Sequence, residues 1–168
     1  MTGSRVPGPA DIDVTQYVVV RVGAEEYGLP ILAVESIIRY EEPTPVPHAR
    51  PGITGVLNLR GRVVPVLDLS QVLLGRPFAP SPKARVVVCE TADGPIGLTV
   101  DDAREVVTVR ADQHRPAPQA LATGGPALAV AGVASLGDRL VLLLDVSRVL
   151  SGLGDAGTDD NEESANDG

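Results

Sequence analysis

Two aspartates occupy matching places in this chain, Asp68 in VPVLDLSQVL and Asp145 in LLLDVSRVL. A symmetric pair of carboxylates is material for acid–base catalysis. Each also stands where an apolar run ends and a helical pattern begins, and a side-chain oxygen there satisfies an orphan amide, worth ~1 kcal/mol. Both therefore read as helix caps. His48 in PVPHARP and His114 in DQHRPAP lie in proline-rich loops with no Cys, Asp or Glu at ligand spacing, so no hydrolase constellation or metal site assembles around them. Ser36, Ser70, Ser81, Ser135 and Ser147 lack the context of a nucleophile elbow. The glycine-rich TGGPALA (123–129) lacks the lysine and following helix of a phosphate loop. Cys89, alone in RVVVCE, reads as a buried strand thiol. Arg60 remains. In NLRGR it occupies a tight turn, where it reads either as a solvated turn residue or, since arginine on a rigid hairpin suits the centre of an interface, as a contact residue.

The elements that position these residues come in duplicate. GVLNLRGRVVPVLDLSQVL (55–73) aligns without a gap on GVASLGDRLVLLLDVSRVL (132–150) at an offset of 77. Gly55, Val56, Leu59, Arg62, Val64, Leu67, Asp68, Ser70, Val72 and Leu73 recur as Gly132, Val133, Leu136, Arg139, Val141, Leu144, Asp145, Ser147, Val149 and Leu150. Upstream, YGLPILAVESII (27–38) faces IGLTVDDAREVV (96–107) at an offset of 69, and the run Val18 to Val20 faces Val86 to Val88. The two copies, about 16–75 and 84–151, are joined by GRPFAPSPK (75–83) and are expected to pack on each other, since one unit is small to stand alone. Arg60 is an exception to the repeat. Its counterpart is Gly137, the usual residue for such a turn.

Within each copy the signals are those of strands. TQYVVVRV (15–22) and EEYGL (25–29) form a hairpin across Gly23-Ala24, and Pro30 opens a short helical turn. ESIIRY (35–40) is extended. ITGVLNL (53–59) and RVVPVLD (62–68) form a hairpin turning at Arg60-Gly61, with Pro65 placing its strand near an edge or bulge. A helix follows, capped by Asp68 with Gln71 at the third position and stopped at Gly75. The second copy repeats this at 129–136 and 139–144, with Gly137-Asp138 suited to a type II′ turn and a helix from Asp145.

Composition agrees with an all-β chain. There is no tryptophan and one phenylalanine, Phe78, beside Tyr17, Tyr27 and Tyr40, so the interior is Val, Leu, Ile and Ala. Eighteen glycines and fifteen prolines leave little room for long helices. Asp155, Asp159, Asp160, Glu162, Glu163 and Asp167 account for six of the net charge of −8, so the body is near neutral and carries no basic stripe for nucleic acid. Residues 1–14 read as a flexible end and 152–168 as a disordered acidic tail. No apolar run is long enough to span a membrane, and the N-terminus lacks the apolar core of a signal peptide, which points to the cytoplasm.

EEYGLPILAVESI, PGITGVLNLRGRVVPVLDL, IGLTVDDAREVV, HRPAP and GVASLGDRLVLLLDVSRVL, in this order over residues 15–151, resemble the CheW family of chemotaxis coupling proteins. The resemblance implies an all-β fold of two SH3-like five-stranded barrels around a shared apolar core, with short helices. It implies no catalytic activity, no cofactor and no metal. It implies an adaptor that couples transmembrane chemoreceptors to the histidine kinase CheA. The adaptor would bind the cytoplasmic tip of the receptor and the CheW-like regulatory domain of the kinase at separate surfaces, and would be recruited from the cytoplasm to membrane-associated arrays. By position, Val34, Ser36, Gly55, Asn58 and Arg60 fall on the receptor side, with Ile37 and Val56 lining a groove between lobes. Arg60 matches the arginine most associated with coupling. Ser36 stands where relatives commonly carry glutamate, which implies either a different receptor contact or compensation by the neighbouring Glu35. The kinase surface is placed only on exposed strand edges of the first barrel, with no residues assigned. Three other readings compete: a CheW-like scaffold of a non-flagellar sensory pathway, a small all-β enzyme using Asp68 or Asp145 between the lobes, and a barrel pair that binds a peptide without signalling.

Overall fold

The computed structural model describes residues 14–117 and 129–150; the expected flexible N-terminus (up to residue 13), most of the TGGPALA loop and the acidic tail lie outside them. The strands are β1 (Val14–Val22), β2 (Glu25–Pro30), β3 (Val34–Arg39), β4 (Ile53–Leu59), β5 (Arg62–Leu67), β6 (Arg85–Thr91), β7 (Gly94–Val100), β8 (Asp102–Arg110), β9 (His114–Pro116), β10 (Val130–Leu136) and β11 (Arg139–Leu144). Helix α1 (Leu69–Leu74) follows β5, and residues 146–150 form its counterpart after β11. A 3-10 turn at Ile31–Ala33 follows Pro30, where the proline opens it as expected.

The strands form two sheets, ordered β8-β1-β2-β11-β10-β9 and β3-β6-β7-β5-β4. The sequence copies do not correspond to the lobes. Each sheet draws strands from both: β2 of the first copy pairs parallel with β11 of the second (Gly28↔Leu143), and β7 of the second pairs parallel with β5 of the first (Gly97↔Val66). The copies are thus interleaved rather than packed as two separate units. The short β9, pairing Arg115 with Val133, has its partner in the isolated bridge between Thr44 and Val56, so the sheets match strand for strand.

Register corrects one alignment. Val19 opposes Gly28 and Val88 opposes Gly97, so the valine runs match at an offset of 69, with Val18 to Val20 on Val87 to Cys89. A shift of one residue would send every side chain to the other face. The burial pattern confirms this: Val19 fills the interior of the first lobe with Val109, Ala134, Val141 and Leu143. Val86 and Val88 fill the second with Leu57, Val64 and Val66. Their neighbours Val18, Val20, Val87 and Cys89 turn outward into a third cluster shared by both sheets, with Tyr27, Leu29, Leu67, Leu98 and Leu144. Strands β1 and β6 are buried on both faces, and so they read as unbroken valine instead of alternating. Gly28 and Gly97 sit where the parallel strands close each lobe; a Cβ on Gly97 would stand 2.7 Å from the Val86 side chain.

Pro65 does not mark an edge, but the expected bulge is there: the β4–β5 register shifts between Ile53 and Gly55, opposite Leu67 and Val66. Strand β5 lies between β4 and β7. Val56, opposite Pro65, turns its N–H and C=O to Thr44, each at 2.9 Å, so the proline nitrogen faces β7. Pairing with β7 starts only at Val66. The missing donor therefore has no partner to disappoint.

Candidate functional site

Both aspartates cap helices. Asp68 is buried; its Oδ1 accepts from the Gln71 N–H and its Oδ2 from the Phe78 N–H, each at 3.0 Å. One carboxylate thereby starts α1 and anchors the link between the copies, where Phe78 packs on Tyr40 with ring centroids 5.0 Å apart. Asp145 caps more weakly, accepting from the Arg148 N–H at 3.3 Å. His48 and His114 are exposed, and the buried Cys89 thiol is pushed up to about 12 by desolvation. A cavity of about 270 Å³ between the lobes is lined by Tyr17, Ala33, Glu90, His114, Asp145 and Ser147, among others. Asp68 is not part of it, and neither are Ile37 and Val56.

The residues assigned to the receptor side lie on β3, on β4 and at the β4–β5 tip. Strands β3 and β4 are opposite edges of one sheet, and the curl of the sheet brings β3 to the tip. The contact is ionic. Arg62 Nη1 donates to Glu35 Oε2 at 2.6 Å, and Nη2 to Glu90 Oε2 at 2.7 Å. The Arg62 guanidinium holds the Glu35 carboxyl below its ordinary value, and Arg60 adds to that effect by its charge. Val34 is half-buried against the shared core, whereas Ser36, Asn58 and Arg60 are exposed. Ile37, 41% exposed, opposes Val87 on the sheet's outer face.

Two assigned residues have local duties. Gly55 is buried, and a Cβ there would overlap the Thr44 carbonyl group, whose carbon lies at 2.7 Å. Gly132 repeats the same close approach with the Arg115 carbonyl oxygen at 2.9 Å. Asn58 Oδ1 accepts the Gly61 N–H at 2.9 Å and so ties the tip together. The tip itself is unusual. Arg60 has φ 55° and Gly61 φ 83°, a type I′ arrangement that suits Asn-Gly and places arginine in the left-handed region. At the duplicate tip only Gly137 has a positive φ, 67°, as a type II′ turn requires.

The Glu35–Arg62–Glu90 cluster was not among the expected site residues, although its arginine recurs in the repeat as Arg139. Both edge strands carry a bulge, with Glu35 the extra residue between Val34 and Ser36, and Arg104 the extra residue between Ala103 and Glu105. In the second copy Glu105, the counterpart of Ser36, binds Arg139 at 2.7 Å, and Glu26 binds it at 2.9 Å. In the first copy the carboxylate has moved one position, from Ser36 onto the bulge. Bulges redirect side chains in this way. Comparing Ser36 with Glu105 points to a carboxylate beside Arg62, whereas Glu90, which faces Arg21 in the repeat, has no such signal.

These features define a double-barrel scaffold whose matching aspartates are spent on its own backbone and whose recurring arginines are spent on its own glutamates, with a strained arginine displayed at one tip. Residues 16–153 match the CheW-like domain. The chain is 32% identical to the chemotaxis protein CheW of Klebsiella aerogenes over 81% of each chain. It is 31% identical to CheW of Bacillus subtilis, over 79% of this chain and 85% of that one. Among solved structures, the scaffolding protein TtCheW of Thermoanaerobacter tengcongensis superposes with a TM-score of 0.71 at 27% identity, over 78% of this chain and 88% of that one. The chain belongs to the CheW family of chemotaxis scaffolding proteins.

Proposed function

We propose that this protein is a non-catalytic adaptor that couples the cytoplasmic tips of transmembrane chemoreceptors to a CheA-type histidine kinase, working from the cytoplasm at membrane-associated arrays. Arg60 carries the reading. It holds a left-handed conformation that glycine holds in the duplicate, and strain of this kind persists where a side chain is needed for function. The receptor side comprises Arg60 and Asn58 at the tip with Val34, Ser36 and Ile37 on β3; Gly55 and Val56 shape the strand beneath. A receptor helix hairpin would lay an apolar stripe along this region, and Arg60 would fix its register by hydrogen bonds. Signalling follows if the receptor makes different contacts in its two states, since only differential affinity moves the equilibrium. The non-catalytic reading is supported by Asp68, whose two oxygens accept from backbone amides, and by Asp145, which caps its helix.

The test is reconstitution with a chemoreceptor and CheA-type kinase encoded in the same genome. The wild type should capture the kinase's regulatory domain and support receptor-dependent phosphorylation. Arg60→Glu should abolish that support with unchanged circular dichroism. A chain that captures neither partner, or an Arg60→Glu variant with full activity, would overturn the proposal.

A further inference from the structure

Arg60 is exposed and, among the described residues, makes no ion pair or side-chain hydrogen bond, although its charge is felt at Glu35. An acid within that range should compete with any partner for the guanidinium. It does not, because Arg62 occupies it: one guanidinium takes Glu35 at 2.6 Å and Glu90 at 2.7 Å. Glu35 reaches Arg62 because the bulge between Val34 and Ser36 redirects it. Arg62 sits two residues beyond Arg60, across the turn that Asn58 ties through the Gly61 N–H.

We propose that Arg62 is a positioning residue for Arg60: by holding Glu35, with Glu90 on its other Nη, it keeps that carboxylate from the Arg60 guanidinium and leaves Arg60 unpaired and available to a partner. The inference rests on the reading of Arg60 as the receptor-contacting arginine. The molecule carries its own control. Arg139 makes the same two-carboxylate contact, with Glu26 and Glu105, in a lobe whose tip is Gly137-Asp138 and displays no arginine. Loss of Arg139 removes the structural brace without exposing a competitor to Arg60.

The experiment compares wild type with Arg62→Gln, Arg62→Gln/Glu35→Gln, Arg139→Gln and Arg60→Ala. The first readout is affinity for a soluble hairpin-tip fragment of a chemoreceptor from the same genome. The second, independent of any receptor, is the Arg60 Nε–H resonance. Exposed ion pairs are weak, so Arg62→Gln should weaken binding by only about two- to fivefold and shift the Arg60 resonance. The double variant should recover both, because the competing carboxylate is gone. Arg139→Gln should change neither. Equal loss in Arg62→Gln and the double variant would overturn the inference, as would an Arg60 resonance unmoved by Arg62→Gln. If the wild type binds no receptor fragment, or Arg60→Ala binds as well as wild type, the receptor reading fails by itself and the resonance alone decides the role of Arg62.

Discussion

Replacing Arg60 by glycine should stabilise this protein while disabling it. Arg60 adopts φ 55°. The left-handed region costs an L-residue with a Cβ roughly 1–2 kcal/mol, and glycine escapes that cost. Glycine returns about 0.4–1 kcal/mol of freedom to the unfolded chain. Nothing else is lost, because among the described residues the arginine side chain makes no hydrogen bond or ion pair. The net expectation is a gain of about 0.5–1 kcal/mol, or about 1–4 °C in Tm for a chain of this size. Urea unfolding followed by circular dichroism measures it, with the midpoint rising and m unchanged. The reciprocal change, Gly137→Arg, should cost about as much, since the site has φ 67° and open space around it. If Arg60→Gly lowers stability by more than 0.5 kcal/mol (roughly the smallest difference such curves resolve), the strain argument fails, and with it the case that Arg60 is kept for something other than folding.

Four further outcomes follow from the geometry. Asp68→Ala should cost about 2–3 kcal/mol in urea unfolding, because it leaves two backbone amides without an acceptor, against about 1 kcal/mol for Asp145→Ala; equal costs would contradict the double anchoring of Asp68. Gly55→Ala should destabilise by at least about 2 kcal/mol by forcing β4 away from Thr44, so a melting curve like that of wild type would sink the close-approach argument. Cys89 should resist a thiol reagent in native buffer and react at once in 6 M guanidinium, roughly the concentration that unfolds even hyperstable domains; rapid native labelling would refute its burial. Glu35 has a depressed folded pKa, so its pairing with Arg62 is fully present above its ordinary value of 4.5 and lost as pH falls through the folded one. Wild type and Glu35→Gln should therefore differ near neutrality and converge in acid; divergence on acidification would reverse the sign.

Much of this molecule is legible in one sequence because it is written twice. The hairpins, the turn at Arg60-Gly61, the Asp68 cap and its Gly75 stop all follow from local rules, and the structure repeats them. The exchange of strands between lobes was not legible. Hairpin signals describe neighbours in sequence, whereas the pairings of Gly28 with Leu143 and Gly97 with Val66 depend on which hairpin docks where. The valine runs misled for a related reason: when both faces of a strand are buried, Val18 to Val20 carries no alternation with which to set a register. Pro65 misled only as to an edge, because proline argues against a ladder only where a donor is required; the irregularity it also announced lies beside it, between Ile53 and Gly55. The Glu35–Arg62–Glu90 cluster escaped because a bulge shifts faces by one residue, and no composition rule announces an extra residue in a strand.

The interleaving sets an order of events during synthesis. The sheet containing β3, β6, β7, β5 and β4 uses nothing beyond Val100, so it can close while the ribosome is still adding the rest of the chain. The other sheet cannot. Strands β1 and β2 are made first, yet β2 meets β11 only when Tyr27 finds Leu142. This hairpin therefore waits longest for its partner strand: Val18 and Val20 can pack on the finished sheet, but Val19 lacks Ala134, Val141 and Leu143 until the end. Contacts so distant along the chain slow folding and lengthen exposure to aggregation. The lobe that displays Arg60 is finished first, and the lobe assembled around it bears the kinetic risk.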